Sequence, residues 1–158
     1  MPQDIFIKIG DIQGESQDKS HKGKIDVLSF TWGVSNSTPP GMARSRKATK
    51  GSVTDFHFKK EADKASPDLI YACYTAKPID SVTLIVRKAG EKPLEYMTYT
   101  LGDVMITSVN QDGTPGNPKV IENVSLNFAR IKIDYKEQTE KGGAGATPST
   151  AFDIASPN

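Results

Sequence analysis

The 158-residue sequence contains one cysteine, so no disulfide can form within the chain. It has two histidines, His21 and His57, with no cysteine cluster and no HExxH spacing around them, and no metal site is expected. Neither sign of charge is in excess. Twenty Lys plus Arg against 19 Asp plus Glu leave a formal +1. That balance exerts no general pull toward nucleic acid or an anionic membrane. No apolar run approaches the length of a membrane span, so no membrane insertion is expected. The N-terminus, MPQDIFIKIGDIQGES, lacks a basic stretch followed by an apolar one and does not read as a secretory signal. The expectation is a protein made in the cytoplasm; any export would use a route that reads no cleavable signal. GxSxG is missing, and GMARSRKATKGS does not meet the G-x-x-x-x-G-K-[ST] spacing. Neither a serine nucleophile nor a phosphate loop is supported. No cofactor and no enzyme activity are expected.

What the sequence has is alternation. Residues 121–135, IENVSLNFARIKIDY, contain no Gly or Pro and follow period two, the pattern of a half-buried strand. Val124, Leu126 and Phe128 share one parity; Ile131, Ile133 and Tyr135 share the other. Such a flip calls for a bulge near Ala129 or a strand that passes from one layer to another. Residues 24–35 read as a second long strand with the same flip. Ile25 and Val27 lie on one parity; Leu28, Phe30, Trp32 and Val34 lie on the other and are expected to be buried. Opposite them stand Ser29, Thr31, Gly33 and Ser35, all small and uncharged. Asn123, Ser125 and Asn127 form a similar polar row on the last strand. Smooth polar walls of this kind suit a wide channel, although an ordinary solvent face fits the periodicity as well.

Further strands are expected at 5–9, 53–59, 81–88, 94–101 and 104–109. Phe56 and Phe58 should point inward, with Asp55, His57 and Lys59 outward. One helix is expected at 67–76. Ser66 would be its N-cap, Pro67 its first residue and Pro78 its stop, with Leu69, Ile70 and Cys73 on the barrel side. Both histidines should be solvated and Cys73 should be an inert buried group. The fold class is mainly β: a barrel of two antiparallel sheets with one short α-helix on its flank. Residues 1–136 make the barrel body, and 137–158 a Gly-rich linker followed by a tail that docks, on its own body or on a neighbour, through Phe152 and Ile154.

Residues 36–51 interrupt the body with a loop too long for a hairpin turn. It carries Pro39, Met42, Arg44, Arg46, Lys47 and Lys50, and holds no aromatic residue on which a base could stack. It reads as a solvated loop or as one that contacts another subunit, with Asp11, Glu15, Asp18, Glu91 and Asp103 as acidic partners. No nucleic acid partner is expected.

Several segments resemble the haemolysin-coregulated proteins (Hcp) of the bacterial type VI secretion system. They are Ile5 to Ile9 with Gly14-Glu15-Ser16, His21-Lys22-Gly23 and IDVLSFTWGV at 25–34. Further on come Val53-Thr54-Asp55-Phe56-His57-Phe58, Asp63-Lys64-Ala65-Ser66-Pro67, and Glu122 to Ala129. Phe152-Asp153 resembles the family's tail, where Trp often stands in place of Phe152. The resemblance implies a structural protein that forms homohexameric rings. The rings stack into a tube, driven out of the cell by a contractile sheath together with tube-tip proteins, with effector proteins in the lumen. It implies that Ser29, Thr31, Gly33 and Ser35 face that lumen. The alternative is a monomeric β-barrel ligand-binding module that uses the 36–51 loop.

Overall fold

In chain order the elements are β1 (Gln3–Ile9), β2 (Ile25–Asp26), β3 (Ser29–Thr31), β4 (Val34–Ser35), β5 (Ser52–Val53), β6 (Phe56–Glu61), α1 (Ser66–Tyr74), β7 (Ile79–Lys88), β8 (Leu94–Asp112), β9 (Ile121–Tyr135) and β10 (Ser149–Asp153). The computed structural model describes residues 3–41, 50–90, 93–137, 145 and 147–154. All strand pairs are antiparallel, in the order β2-β1-β7-β8-β9-β6-β3, with β10 added to β9 and a separate β4-β5 pair.

The two ends of that order are joined by one short piece of chain. β2 pairs with β1 and β3 with β6. Between them Val27 N–H donates to Ile5 O, and Leu28 N–H donates to Lys59 O. The segment therefore lies between β1 and β6 and bonds to each in turn, which closes the curled sheet and leaves few unpaired edges. This explains the first parity flip. Ile25 and Val27 are buried against β1; past the crossing point, Phe30 and Trp32 pack over the core instead. The phase change also corrects the expected burial at its two ends. Leu28, at the crossing, is 51% exposed, and Val34, carried away on β4, is 59% exposed. The expected single strand at 24–35 is three short ones.

Inside, Ile7, Ile9, Leu84, Leu101, Ile106, Leu126 and Ile131 form the apolar floor. Phe30, Trp32, Phe56 and Tyr99 form an aromatic cluster over it, with Phe30 stacked on Phe56 at 5.7 Å and Trp32 edge-on to Tyr99 at 6.2 Å. The second parity flip is real. Glu122, Val124, Leu126 and Phe128 face inward, and then Ile131 does. No bulge lies at Ala129: Leu101↔Ile131, Gly102↔Arg130 and Val104↔Phe128 keep one register. Instead β8 and β9 crease together. Asp103 takes a left-handed φ of 50°, and Arg130 folds over Gly102 to bind Asp103 at 2.5 Å.

The helix runs from Ser66 to Tyr74, with Ala65 in the N-cap position and no side-chain cap. Ser66 is therefore not the cap. Its hydroxyl turns into the barrel wall and donates to Glu122 Oε1 at 2.8 Å. At the other end Ala76 adopts φ 54°, its N–H donates to Cys73 O and Lys77 N–H donates to Ala72 O. A left-handed residue thus ends the helix just before Pro78, the expected stop. Leu69 and Ala72 are buried and Cys73 partly so, but Ile70 points outward. His21 is also unlike its expectation. It is buried, stacked on Phe6 at 4.6 Å, with Nε2 2.6 Å from Glu95 Oε2 and Nδ1 2.7 Å from Lys24 Nζ. An ammonium can only donate, so Nδ1 is the acceptor, and Nε2–H donates to the Glu95 carboxylate. The tail docks on its own body: β10 pairs with the second half of β9, and Ile154 reaches the core while Phe152 stays 40% exposed.

Candidate functional site

Four neighbouring strands, β3, β6, β9 and β8, share one outward face. Because the strands are antiparallel and in register, their outward side chains form rows across the sheet. Thr31 pairs with His57, His57 with Ser125, and Ser125 with Ser108. Ser29 pairs with Lys59, Lys59 with Asn123, and Asn123 with Asn110. Under these rows Phe30, Phe58 and Val124 point the other way, into or over the core. The alternation that buries the apolar set thus builds the polar face. A register shift between Ile106 and Ser108 keeps β8 in phase, with Val109 packed inward opposite Val124 and Ser108 outward opposite Ser125.

The face is held by its own hydrogen bonds. His57 Nδ1 lies 2.6 Å from Ser125 Oγ. Asp55 accepts from Thr107 Oγ1 at 3.0 Å and from Asn127 Nδ2 at 3.3 Å. Asn123 Nδ2 donates to Asp112 Oδ2 at 3.4 Å. Lys59 is exposed and makes no ion pair among the described residues. A shallow groove of about 360 Å³ runs between Ser29 and Thr31 on one side and Asn123 on the other, with His57 and Lys59 between. As a nucleophile and base, Ser125 and His57 would need an orienting carboxylate. The nearby one, Asp55, is committed to Thr107 and Asn127 instead. Among the described residues no three His, Cys, Asp or Glu side chains are placed to hold a metal ion.

Two polar rows far apart in the sequence are therefore one surface. Of the residues expected to line a channel, Ser29 and Thr31 belong to it. Gly33 and Ser35 leave it: Gly33 N–H bonds to Thr54 Oγ1 at 2.9 Å, and Ser35 joins Ser52 in the separate β4-β5 pair. The residues that complete the surface are His57 and Lys59, whose outward direction was legible but whose neighbours were not. In the 36–51 loop, Pro39 is exposed and Lys50 Nζ donates to Ile154 O at 3.1 Å, tying the loop's end to the tail. Met42, Arg44, Arg46 and Lys47 lie outside the described residues. Three of the acidic groups expected to meet the loop are engaged at home: Asp18 with Arg87, Asp103 with Arg130, and Glu15, which accepts from the Lys64 N–H at 3.1 Å. Glu91 lies outside the described residues.

A family model described as "Type VI secretion system effector, Hcp" matches residues 6–135. The chain belongs to the Hcp family. It is 42% identical over 149 residues to protein hcp1 of Pseudomonas aeruginosa, covering 94% of this chain and 92% of that one. The crystal structure of Hcp1 from Salmonella typhimurium is 35% identical and superposes with a TM-score of 0.78, covering 98% of this chain and 96% of that one. A type VI secretion system effector from Yersinia pestis is 37% identical with a TM-score of 0.77, covering 96% of this chain and all of that one, 100%. As an Hcp, the chain is a type VI secretion system protein. The Hcp match takes in all four strands of the polar face, but ends before β10.

Proposed function

We propose that this Hcp is a tube subunit: six copies close into a ring, rings stack, and the polar face of β3, β6, β9 and β8 lines the bore. The observation that carries the reading is the pair of cross-strand rows, Thr31–His57–Ser125–Ser108 and Ser29–Lys59–Asn123–Asn110. They form a wide wall on the outside of a closed barrel, with no large apolar side chain in either row. A passing protein finds hydrogen-bond partners on such a wall but nothing greasy to adhere to. Effector proteins travel in that bore, and the tube leaves the cell through the type VI machinery, in contact with its sheath and tip proteins. The role is structural rather than enzymatic. The 36–51 loop reaches a neighbouring subunit, in the same ring or the next.

Native mass spectrometry of the purified full chain tests the ring. A species of six times the 17.1 kDa chain mass supports it. A monomer at every concentration favours the ligand-binding module instead.

A further inference from the structure

We propose that the polar face selects its cargo by charge, and that the groove between Ser29, Thr31 and Asn123 takes acidic side chains of an effector protein, with Lys59 as the charged contact and His57 as a second donor. The proposal rests on the bore reading above and names the partner chemistry of that face.

The argument begins with which charges are already satisfied. Asp55 is held by Thr107 and Asn127, and Asp112 by Asn123, both at the edge of the face rather than in the groove. Within the groove the charged side chain is Lys59, and its neighbours in the row are Ser29 and Asn123, neither of which carries a charge. An exposed ammonium beside neutral hydrogen-bonding groups is complementary to a carboxylate. His57 adds to it. With Nδ1 engaged by Ser125 Oγ, a neutral ring that accepts from the serine places its proton on Nε2, which can donate away from the sheet. Ser29 and Thr31 supply hydroxyls along the same wall. Beside His57 stand its cross-strand partners Thr31 on β3 and Ser125 on β9, with Asp55 and Lys59 two residues away along its own chain. Single-stranded nucleic acid is held by aromatic platforms for its bases as well as by charge on its backbone. Phe30 and Phe58 line the groove, but both pack toward the core, with Phe30 stacked on Phe56.

The test uses the assembled full-length protein and a fluorescein-labelled oligoglutamate peptide, read by anisotropy, with ring assembly followed on the same samples by native mass spectrometry. Binding of oligoglutamate but not oligolysine is expected. Lys59→Gln should weaken it about threefold to fivefold, the size of one exposed ion contact, and His57→Phe, which lacks the Nε2 donor, should weaken it further, while rings persist in both. Rings that form yet bind oligoglutamate no better than oligolysine overturn the charge selection while leaving the tube reading intact. Failure to form rings would instead sink the reading on which this proposal stands. Equal binding of a single-stranded oligothymidylate would overturn the assignment to acidic protein segments.

Discussion

Lys60 Nζ lies 2.5 Å from Glu122 Oε1, and neither side chain has any exposed surface. The two are register partners across β6 and β9, and their pair is not isolated. Ser66 and Gln111 also donate to Glu122, and Asp63 lies 3.0 Å from Lys60. Ser66 is the first residue of α1, so the network ties the helix to the barrel wall. Removing one partner leaves a buried charge uncompensated. Lys60→Met should therefore cost about 3–5 kcal/mol in urea unfolding. Replacing both, Lys60→Met with Glu122→Leu, should recover much of that. Ser66→Ala should cost about 1–3 kcal/mol through the lost donor to Glu122. A Lys60→Met protein as stable as the parent would show the pair to be unimportant.

Acid should loosen the outer clamp in a defined window. Hydrogen bonds from Arg87 hold the Asp18 carboxyl at about 2, below its ordinary 3.8. A carboxyl depressed in the folded state adds stability that is complete above its ordinary range and is lost as pH falls through the folded value. Glu122 acts in the same direction: burial pushes it up, but bonds from Lys60, Gln111 and Ser66 outweigh this and hold it below its ordinary value. Carboxyl NMR titration should place Asp18 near 2 in the parent and return it toward 3.8 in Arg87→Gln. Coincident titrations in the two proteins would contradict the Arg87 contact.

Two glycines should respond differently to the same added methyl group. At Gly14 a Cβ would sit 2.6 Å from the Lys24 carbonyl oxygen, a backbone atom held by the Ser16 N–H. At Gly102 it would meet the Arg130 guanidinium at 2.7 Å, the far end of a flexible chain. Gly14→Ala should cost about 1–3 kcal/mol by forcing the 13–24 loop off β1. Gly102→Ala should cost about 0–1 kcal/mol, the worth of the exposed Arg130–Asp103 pair it displaces. Thermal melts of both variants give the order, and a reversal would contradict the packing described.

The parts of this molecule legible in its sequence are those governed by period two. The limits of β9 and its parity flip, and the inward Phe56 and Phe58, follow from side-chain alternation alone. So do the polar row Asn123, Ser125 and Asn127 and the first half, Ser29 and Thr31, of the other row, whose second half leaves with β4. What alternation cannot say is which strands are neighbours. The joining of Ser29 and Thr31 to Asn123 and Ser125 depends on β6 lying between them. His21 was misjudged for a related reason: a polar loop folds over Phe6 on the outer side of β1, and burial there comes from the partners Lys24 and Glu95 rather than from local composition. The Ser66 position shows a competition between two uses of one hydroxyl. A cap bond and a bond to a buried carboxylate are both available to a serine at a helix start, and the buried Lys60–Glu122 pair takes it.

The 36–51 loop should matter to assembly more than to folding. Lys50 is bonded to Ile154 O, so a deletion confined to residues 38–49 leaves the tail's anchor in place. The deleted subunit should stay soluble and melt close to the parent, while its rings or stacks dissociate at lower salt. Exposed ion contacts are worth about 0–1 kcal/mol each and are screened by salt, but a ring repeats them at every junction. Light scattering across a salt series makes the comparison; identical dissociation curves would remove the loop from the interface.

The most direct test of the central claim is electron cryomicroscopy of the assembled full-length protein, with the subunit placed in the density. The account predicts a six-fold ring whose bore is walled by β3, β6, β9 and β8, with Thr31, His57 and Ser125 pointing at the axis. A ring in which that row lies on the outer wall or inside a subunit junction would contradict it.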